Sequence, residues 1–386
     1  MRVMRAEPGR FADVSSRTVG AVWRAYDLQL TTYAALLGAV GLVMAYVNTV
    51  EAGQSALGNG SVFSRALLWS GLAIVVYLVA TAFDYQWLKT FAWPIYGVNV
   101  GLLVLTMVIG DGVGGSARWV YIGPLTFQFS ELAKILMIGV LAAYLGNREG
   151  KLDSLGAILG AVILIVPPWI LVMLQPDLGT SLCLLAILAG MLFMSGASLI
   201  WLGAGVAAVV AAIPVIWARV LQPYQQQRIL SFLNPAADTQ GAGWQVQQAQ
   251  IAVGAGGPLG VGLTNGAQAN GQLLAVRESD FVFAVLAQEL GFIGAVVVFL
   301  LFIALLWRVL VAAWRSKDSF GTLFGAGVAS MLLFQVFVNV GMVVGIMPVT
   351  GIPLPFISHG GASLVSIALG LGVIQSVNIR QQRAQW

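Results

Sequence analysis

Asp280-Phe-Val-Phe-Ala-Val-Leu-Ala-Gln-Glu-Leu-Gly-Phe-Ile-Gly294 is an apolar stretch opened by a carboxylate, and its apolar character continues to about residue 308. Runs of about 20 apolar residues cross a bilayer as helices. Strands of a membrane barrel would alternate, and this stretch does not. It therefore reads as a membrane helix with Asp280 at its mouth. A carboxylate at or in a bilayer is costly and rare, which marks Asp280 as a functional-site candidate.

The rest of the chain agrees with a membrane protein. Hydrophobic residues make up 59% of it, charged residues only 9%, and the mean hydropathy is +0.89. Soluble domains carry about 25% charged residues. The sequence predicts an all-α polytopic membrane protein with ten spans: 28–50, 64–83, 90–110, 130–146, 155–174, 178–196, 199–220, 280–308, 319–343 and 360–378. Residues 1–27 form a polar, arginine-rich tail, 28–378 a single transmembrane domain, and 379–386 a second tail. The first 27 residues lack the short apolar core of a cleaved signal peptide. With both termini in the cytoplasm, Arg2, Arg5, Arg10, Arg17, Arg24, Lys89, Arg148, Lys151, Arg308, Arg315, Lys317, Arg380 and Arg383 face inward. That is 13 of the 19 basic residues, the bias expected of cytoplasmic segments. Topology thus explains the arginines, and the net charge of +4 gives no reason to invoke nucleic acid. The single cysteine, Cys183, sits in an apolar helix and can form no internal disulfide.

Three outer loops carry the unusual sequence: 111–129, the large loop 221–279 between helices 7 and 8, and 344–359. The large loop is rich in glutamine and glycine. Its glutamines after Trp244 fall on an amphipathic helical period, suited to the membrane interface, with Trp244, Ile251 and Val253 to bury. A loop this long is more often functional or disordered than a simple connector.

Five ionisable residues lie in spans or at their outer ends: Glu131, Lys134, Asp177, Asp280 and Glu289, with Arg118 and Arg228 in adjoining loops. Glu131 and Lys134 share a helix face and can neutralise each other. Asp177 and Asp280 each precede a helix, where Asp favours the capping position. Crowding by Arg277 and Glu278 sets Asp280 apart from a simple cap. Glu289, nine residues on, falls on the opposite face, which suits a packing role. His359, the only histidine, reads as an interfacial ring, since a lone histidine is no zinc site. It lies in a proline- and glycine-rich segment, 347–361. Irregular backbone at membrane depth survives only inside protein or against a cavity, so this segment should wall an outward cavity near Asp280. No phosphate loop, nucleophile elbow or metal-binding histidine pair is present. The residues alone fit an enzyme acting on a lipid-linked substrate or a transporter equally well.

Four stretches, taken together, resemble the SEDS family, the RodA/FtsW/SpoVE polymerases of bacterial cell-wall synthesis. They are Gly115-Ser-Ala-Arg-Trp119 through Phe127-Gln-Phe-Ser-Glu-Leu-Ala-Lys134, Gln175-Pro-Asp-Leu-Gly-Thr-Ser181, Ser279 through Gly294, and Met347 through Ser358 with Gly360-Gly361. The second and fourth look more like the RodA (elongation) branch. Phe129, Val261, Gln288, His359 and Ala362 depart from the family's usual proline, lysine, glutamate, tyrosine and serine.

The resemblance implies a peptidoglycan glycosyltransferase in the bacterial cytoplasmic membrane, acting in elongation and shape maintenance. Its substrate would be lipid II, a disaccharide-pentapeptide on undecaprenyl pyrophosphate. The family's catalytic aspartate maps onto Asp280, whose carboxylate would act as general base. Arg118, Lys134 and Arg228 are candidates to offset the pyrophosphate. Glu131 and Asp177 would orient those cations or hold a divalent cation, Mg or Mn, although no ligand set is legible. Trp119, Gln128, Ser130, Gln175 and Ser358 complete the implied substrate site. A class B penicillin-binding protein transpeptidase and other elongation-machinery membrane proteins are the implied partners. A lipid II flippase, or a scaffold that only recruits the transpeptidase, remains the alternative.

Overall fold

The computed structural model describes residues 25–58, 60–113, 116–122, 125–148, 154–219, 221–234, 238, 241–266 and 279–381. The polypeptide forms α1 Leu28–Glu51, α2 Val62–Ala82, a short α3 Gln86–Thr90 and α4 Ala92–Ile109. A small antiparallel sheet follows: β1 Asp111–Val113, β2 Ser116–Ile122 and β3 Leu125–Phe127, in the order β1-β2-β3. Then come α5 Phe129–Gly146, α6 Leu155–Leu174, α7 Leu178–Met194, α8 Leu199–Arg219, α9 Pro223–Leu233 and α10 Ala242–Ala255. The chain ends with α11 Val282–Trp314, α12 Ser319–Val343 and α13 Gly361–Gln381.

Every span expected from the sequence is a helix. Nine have the length and hydropathy to cross a membrane, and α7, with 17 residues, is the shorter tenth. The chain is a multi-pass membrane protein. α5, α12 and α13 occupy the centre of the bundle, largely buried, whereas α8 has no buried residue. Leu68, Ile74, Val108 and Ile200 on the rim point outward. Such side chains would be a liability in water and are at home in hydrocarbon.

The face opposite Asp280 is fastened by charge. Asp27 caps α1 by accepting the Leu30 N–H at 3.0 Å, and its other oxygen accepts Arg308 Nε at 3.0 Å. Asp318 caps α12 and accepts the Tyr85 hydroxyl at 3.1 Å. Arg380 pairs with Asp84 at 3.3 Å. The N-terminal arginines lie outside the described residues, as do Lys151, Arg383, Arg277 and Glu278.

The expected span 280–308 is corrected in form. α11 is 33 residues long, more than a bilayer needs, and it breaks at Gly291, where φ is 68° and ψ −171°. Residues 281–289 before the break are all buried in protein. Phe292, Ile293, Val297 and Leu300, after it, face outward. The lipid-crossing part therefore begins at the break, and the first part is a buried peg that leads up to Asp280. The break is stitched by the segment after α10. The Val261 N–H donates to the Gln288 carbonyl at 3.0 Å, and the Phe292 N–H to the Gly257 carbonyl at 2.8 Å. These bonds take up the backbone groups that the helix gives up there, as membrane depth demands.

The large loop is also corrected. It contains two helices, and α10 buries the small residues Gly243, Ala249 and Ala252 and packs against α11, not as an interfacial amphipath. Ile251, expected to be buried, is exposed. Small residues let the helix axes approach closely.

Gly291→Ala should lower the thermal unfolding midpoint clearly. This backbone conformation is open almost only to glycine and costs another residue about 1–3 kcal/mol, and the new Cβ would collide with the backbone of Leu259 and Gly260. A midpoint equal to that of the wild type would show that the stitch at the break is not needed.

Candidate active site

Asp280 stands just before the peg, with Phe281 and not Asp280 at the N-cap of α11, and no side chain caps that helix. The capping reading of Asp280 therefore fails. Its carboxylate accepts the Ser279 hydroxyl at 2.8 Å on Oδ1. Its backbone is held from two sides. Asn339 Nδ2 of α12 donates to the Asp280 carbonyl at 3.2 Å and to the Ile352 carbonyl at 2.8 Å. The Ser358 hydroxyl donates to the Ser279 carbonyl at 2.5 Å and accepts the Leu354 N–H at 2.8 Å. The carboxylate is thus positioned by the proline-rich segment and α12 together. Burial pushes its pKa above the usual carboxylate range, while the Ser279 hydroxyl, Arg228 and Arg118 pull it back.

Asp280 opens into a cavity of about 910 Å³, mouth included. Gly351, at φ 77°, faces it: a Cβ placed there would lie 3.7 Å from both Arg228 Nη1 and Asp280 Oδ2. The carboxylate and the guanidinium thus converge on one bare stretch of backbone. Across the cavity, Lys134 Nζ meets Glu131 Oε1 at 2.8 Å, with both side chains buried. This is the neutralising pair expected from their spacing, and it also lines the cavity. Glu131 Oε2, Thr350 Oγ1 and Ser363 Oγ, all on residues of the wall, have no hydrogen-bond partner among the described residues. Buried polar atoms are nearly always paired, so three orphans on one wall mark a cavity built for a polar ligand.

The remaining candidates divide by what they touch. Arg118 lines the cavity from β2. Much of its guanidinium is spent on the break between α6 and α7: Nε donates to the Gln175 carbonyl at 2.8 Å, and Nη2 to the Pro176 carbonyl and the Tyr224 hydroxyl. Arg228 packs over the Tyr224 ring at 5.7 Å and reaches the Val349 carbonyl only at 3.5 Å, so it is the least engaged cation of the wall. Asp177 caps α7 through the Thr180 N–H at 3.1 Å and accepts Gln128 Nε2 at 2.8 Å and Ser130 Oγ at 3.1 Å. Its capping reading holds, and its oxygens are occupied by the protein. Trp119 and Gln128 line the cavity, whereas Ser130, Gln175 and Ser358 stand behind the wall. Gln175 is buried with its amide on the Leu103 carbonyl at 2.9 Å. Ser358 faces a neighbouring crevice between α1 and α2.

Glu289 lies apart from the cavity, as its spacing requires, and accepts the Gly266 N–H at 3.0 Å. His359 is corrected: it lines the cavity wall and is not an interfacial ring. Burial and Arg65 push its pKa down to about 4, so the imidazole is neutral near pH 7. Sequence reasoning missed Asn339, Thr350 and Ser363. Among the described residues no cluster of three His, Cys, Asp or Glu side chains could hold a metal ion. The wall's carboxylates, Glu131, Asp177 and Asp280, do not form such a cluster.

A family model described as cell cycle protein, FtsW/RodA/SpoVE, matches residues 27–383. The chain belongs to the FtsW/RodA/SpoVE family. Peptidoglycan glycosyltransferase MrdB of Escherichia coli K12 is 38% identical over 313 residues, covering 81% of this chain and 84% of that protein. Stage V sporulation protein E of Bacillus subtilis is 34% identical over 360 residues, covering 91% and 96%. Among solved structures, a chain from work on how a peptidoglycan synthase complex coordinates polymerization and crosslinking superposes with a TM-score of 0.78. It shares 32% identity and covers 94% of this chain and 99% of that one. The rod shape determining protein RodA of Thermus thermophilus gives 0.68 at 29% identity, with the same coverage.

Proposed function

We propose that this chain is a peptidoglycan glycosyltransferase that polymerises lipid II at the outer face of the bacterial cytoplasmic membrane during elongation, with Asp280 as general base. The observation that carries the reading is the meeting of Asp280 and Arg228 at one polar cavity whose wall holds three unpartnered oxygens. Family membership and relatives named as peptidoglycan glycosyltransferases supply the substrate class. Thirteen basic residues on one side favour both termini in the cytoplasm, which puts the cavity outside.

In this reading the acceptor sugar hydroxyl gives its proton to Asp280 as its oxygen bonds to the anomeric carbon of the donor. The bond from that carbon to the pyrophosphate oxygen breaks, and undecaprenyl pyrophosphate leaves with the electron pair. Asp280 later returns the proton to water. Arg228, the least engaged cation, meets the departing charge, with Arg118 next to it. Glu131 Oε2, Thr350 and Ser363 receive or offer hydrogen bonds to sugar groups, and Lys134 holds Glu131 in place through their 2.8 Å contact. Asp177, Gln128, Ser130, Gln175 and Ser358 position the wall. A class B penicillin-binding protein as partner is supported by the likeness to a chain of a peptidoglycan synthase complex. The test is incubation of purified protein with labelled lipid II, alone and with that partner. Glycan strands are expected, and lipid II consumed by neither preparation would refute the reading.

The pH profile follows from two directions. A base must be ionised, so the rate should fall as pH drops through the raised pKa of Asp280. His359, with its pKa pushed down to about 4, is neutral near pH 7 and adds no limb there. His359→Gln should therefore keep the shape of the acid limb, whatever its height. An acid limb abolished by that substitution would move the titration to the imidazole.

A further inference from the structure

At the end of the bundle opposite Asp280 lies a second cavity, of about 520 Å³. Two helices join it to the first. α5 carries Glu131 in its first turn and ends in this wall at Gly146. α12 starts here at Ser319 and carries, near its other end, the Asn339 that holds Asp280. The end of α7, the short α3 and the turn before α12 complete the wall. The volume is that of a small-ligand site.

Charge selects the ligand. Lys89 of α3 and Lys317 of the turn line the cavity from separate elements. Both are exposed, and among the described residues neither ammonium makes a hydrogen bond or an ion pair. The third charged residue of the wall, Asp318, is already engaged. Its Oδ1 accepts the Gly321 N–H at 3.2 Å, the Tyr85 hydroxyl at 3.1 Å and the Ser316 hydroxyl at 3.2 Å. Two uncommitted cations beside one committed carboxylate favour an anion. Aromatic rings set the depth. Trp87, two residues before Lys89, stacks on Phe91 at 5.5 Å, and Trp314, three before Lys317, is 84% exposed. Tryptophans at the ends of spans sit at the level of the lipid headgroups. The anion present there in quantity is a lipid phosphate.

We propose that this cavity binds the phosphate of an anionic phospholipid headgroup, with Lys89 and Lys317 as its cations. In the topology proposed above the lipid belongs to the cytoplasmic leaflet, whose anionic surface attracts such lysines. The bound headgroup ties α3, α5, α7 and the start of α12 together. The inference stands independently of the glycosyltransferase reading.

The test uses the full chain in detergent, titrated with phosphatidylglycerol or phosphatidylcholine, with affinity read from the rise of the thermal unfolding midpoint. Wild type should prefer phosphatidylglycerol. Lys89→Gln and Lys317→Gln should each weaken its binding about fivefold. Arg315→Gln removes an exposed charge just outside the wall and should leave binding unchanged. Equal affinity for the two lipids, or no loss in the lysine variants, overturns the site. An equal loss in all three variants also overturns it, because the attraction would then be diffuse. Inorganic phosphate or an oligoglutamate peptide that raises the midpoint as far as phosphatidylglycerol, at the same concentration, would overturn the lipid as ligand and give the cavity to a soluble anion.

Discussion

Asp280→Asn is expected to lower lipid II polymerisation about 10²–10⁴-fold, the usual worth of a positioned general base. The change keeps the size of the side chain and an oxygen for the Ser279 hydroxyl, so the cavity keeps its shape. It removes only the ability to take a proton. Stability should move the other way. Burial raises the folded-state pKa of Asp280 above its unfolded value. Such a group contributes stability below its unfolded pKa and loses it as pH rises through the folded one. At neutral pH the wild type carries the cost of a buried charge and the amide does not. The unfolding midpoint of Asp280→Asn should equal or exceed that of wild type at pH 7, with the difference narrowing in acid. An inactive variant that also unfolds early would mean that Asp280 holds the fold, and the base assignment would lose its support.

Lys134→Met should be the most destabilising of the substitutions considered. Lys134 and Glu131 are buried within 2.8 Å of each other. Removing one member leaves an uncompensated charge inside the bundle, which costs about 3–5 kcal/mol. Adding Glu131→Gln to Lys134→Met removes that stranded charge, and the double variant should recover most of the lost midpoint. It should not recover polymerisation, because the wall has lost the ionised Glu131 whose Oε2 awaits a donor. Thermal unfolding in detergent and strand synthesis, read on the same preparations, separate the two effects. A single variant as stable as wild type would show that the pair is not needed to balance charge in the core.

The spans were legible because length and hydropathy are read directly from the residues, and all ten expected helices are present, nine of them within a few positions. The break in α11 was not. Glycine is common in membrane helices, so Gly291 gave no warning of a left-handed φ, which is imposed by the segment Gly257–Gly262 packing against it. The strands β1 and β3, of three residues each, are too short for alternation to be seen. At the site, charge in an apolar setting pointed to Glu131, Lys134, Asp177 and Asp280, and all four line one cavity. Asp177 could be read as cap or ligand, and only its three donors decide for the cap. Neutral residues left no such mark. Asn339, which fixes the Asp280 backbone, and Thr350 and Ser363, with their free hydroxyls, are ordinary polar residues until tertiary packing brings them to the wall. His359 was misplaced for the same reason, since its neighbours in space are distant in sequence.

The most direct test of the central claim is strand synthesis from labelled lipid II by wild type and Asp280→Asn, side by side, on preparations with matched unfolding midpoints. The account predicts glycan strands from wild type and at most a trace from the variant. Equal strands from both would contradict it, because the carboxylate at the centre of the cavity would then have no part in the chemistry.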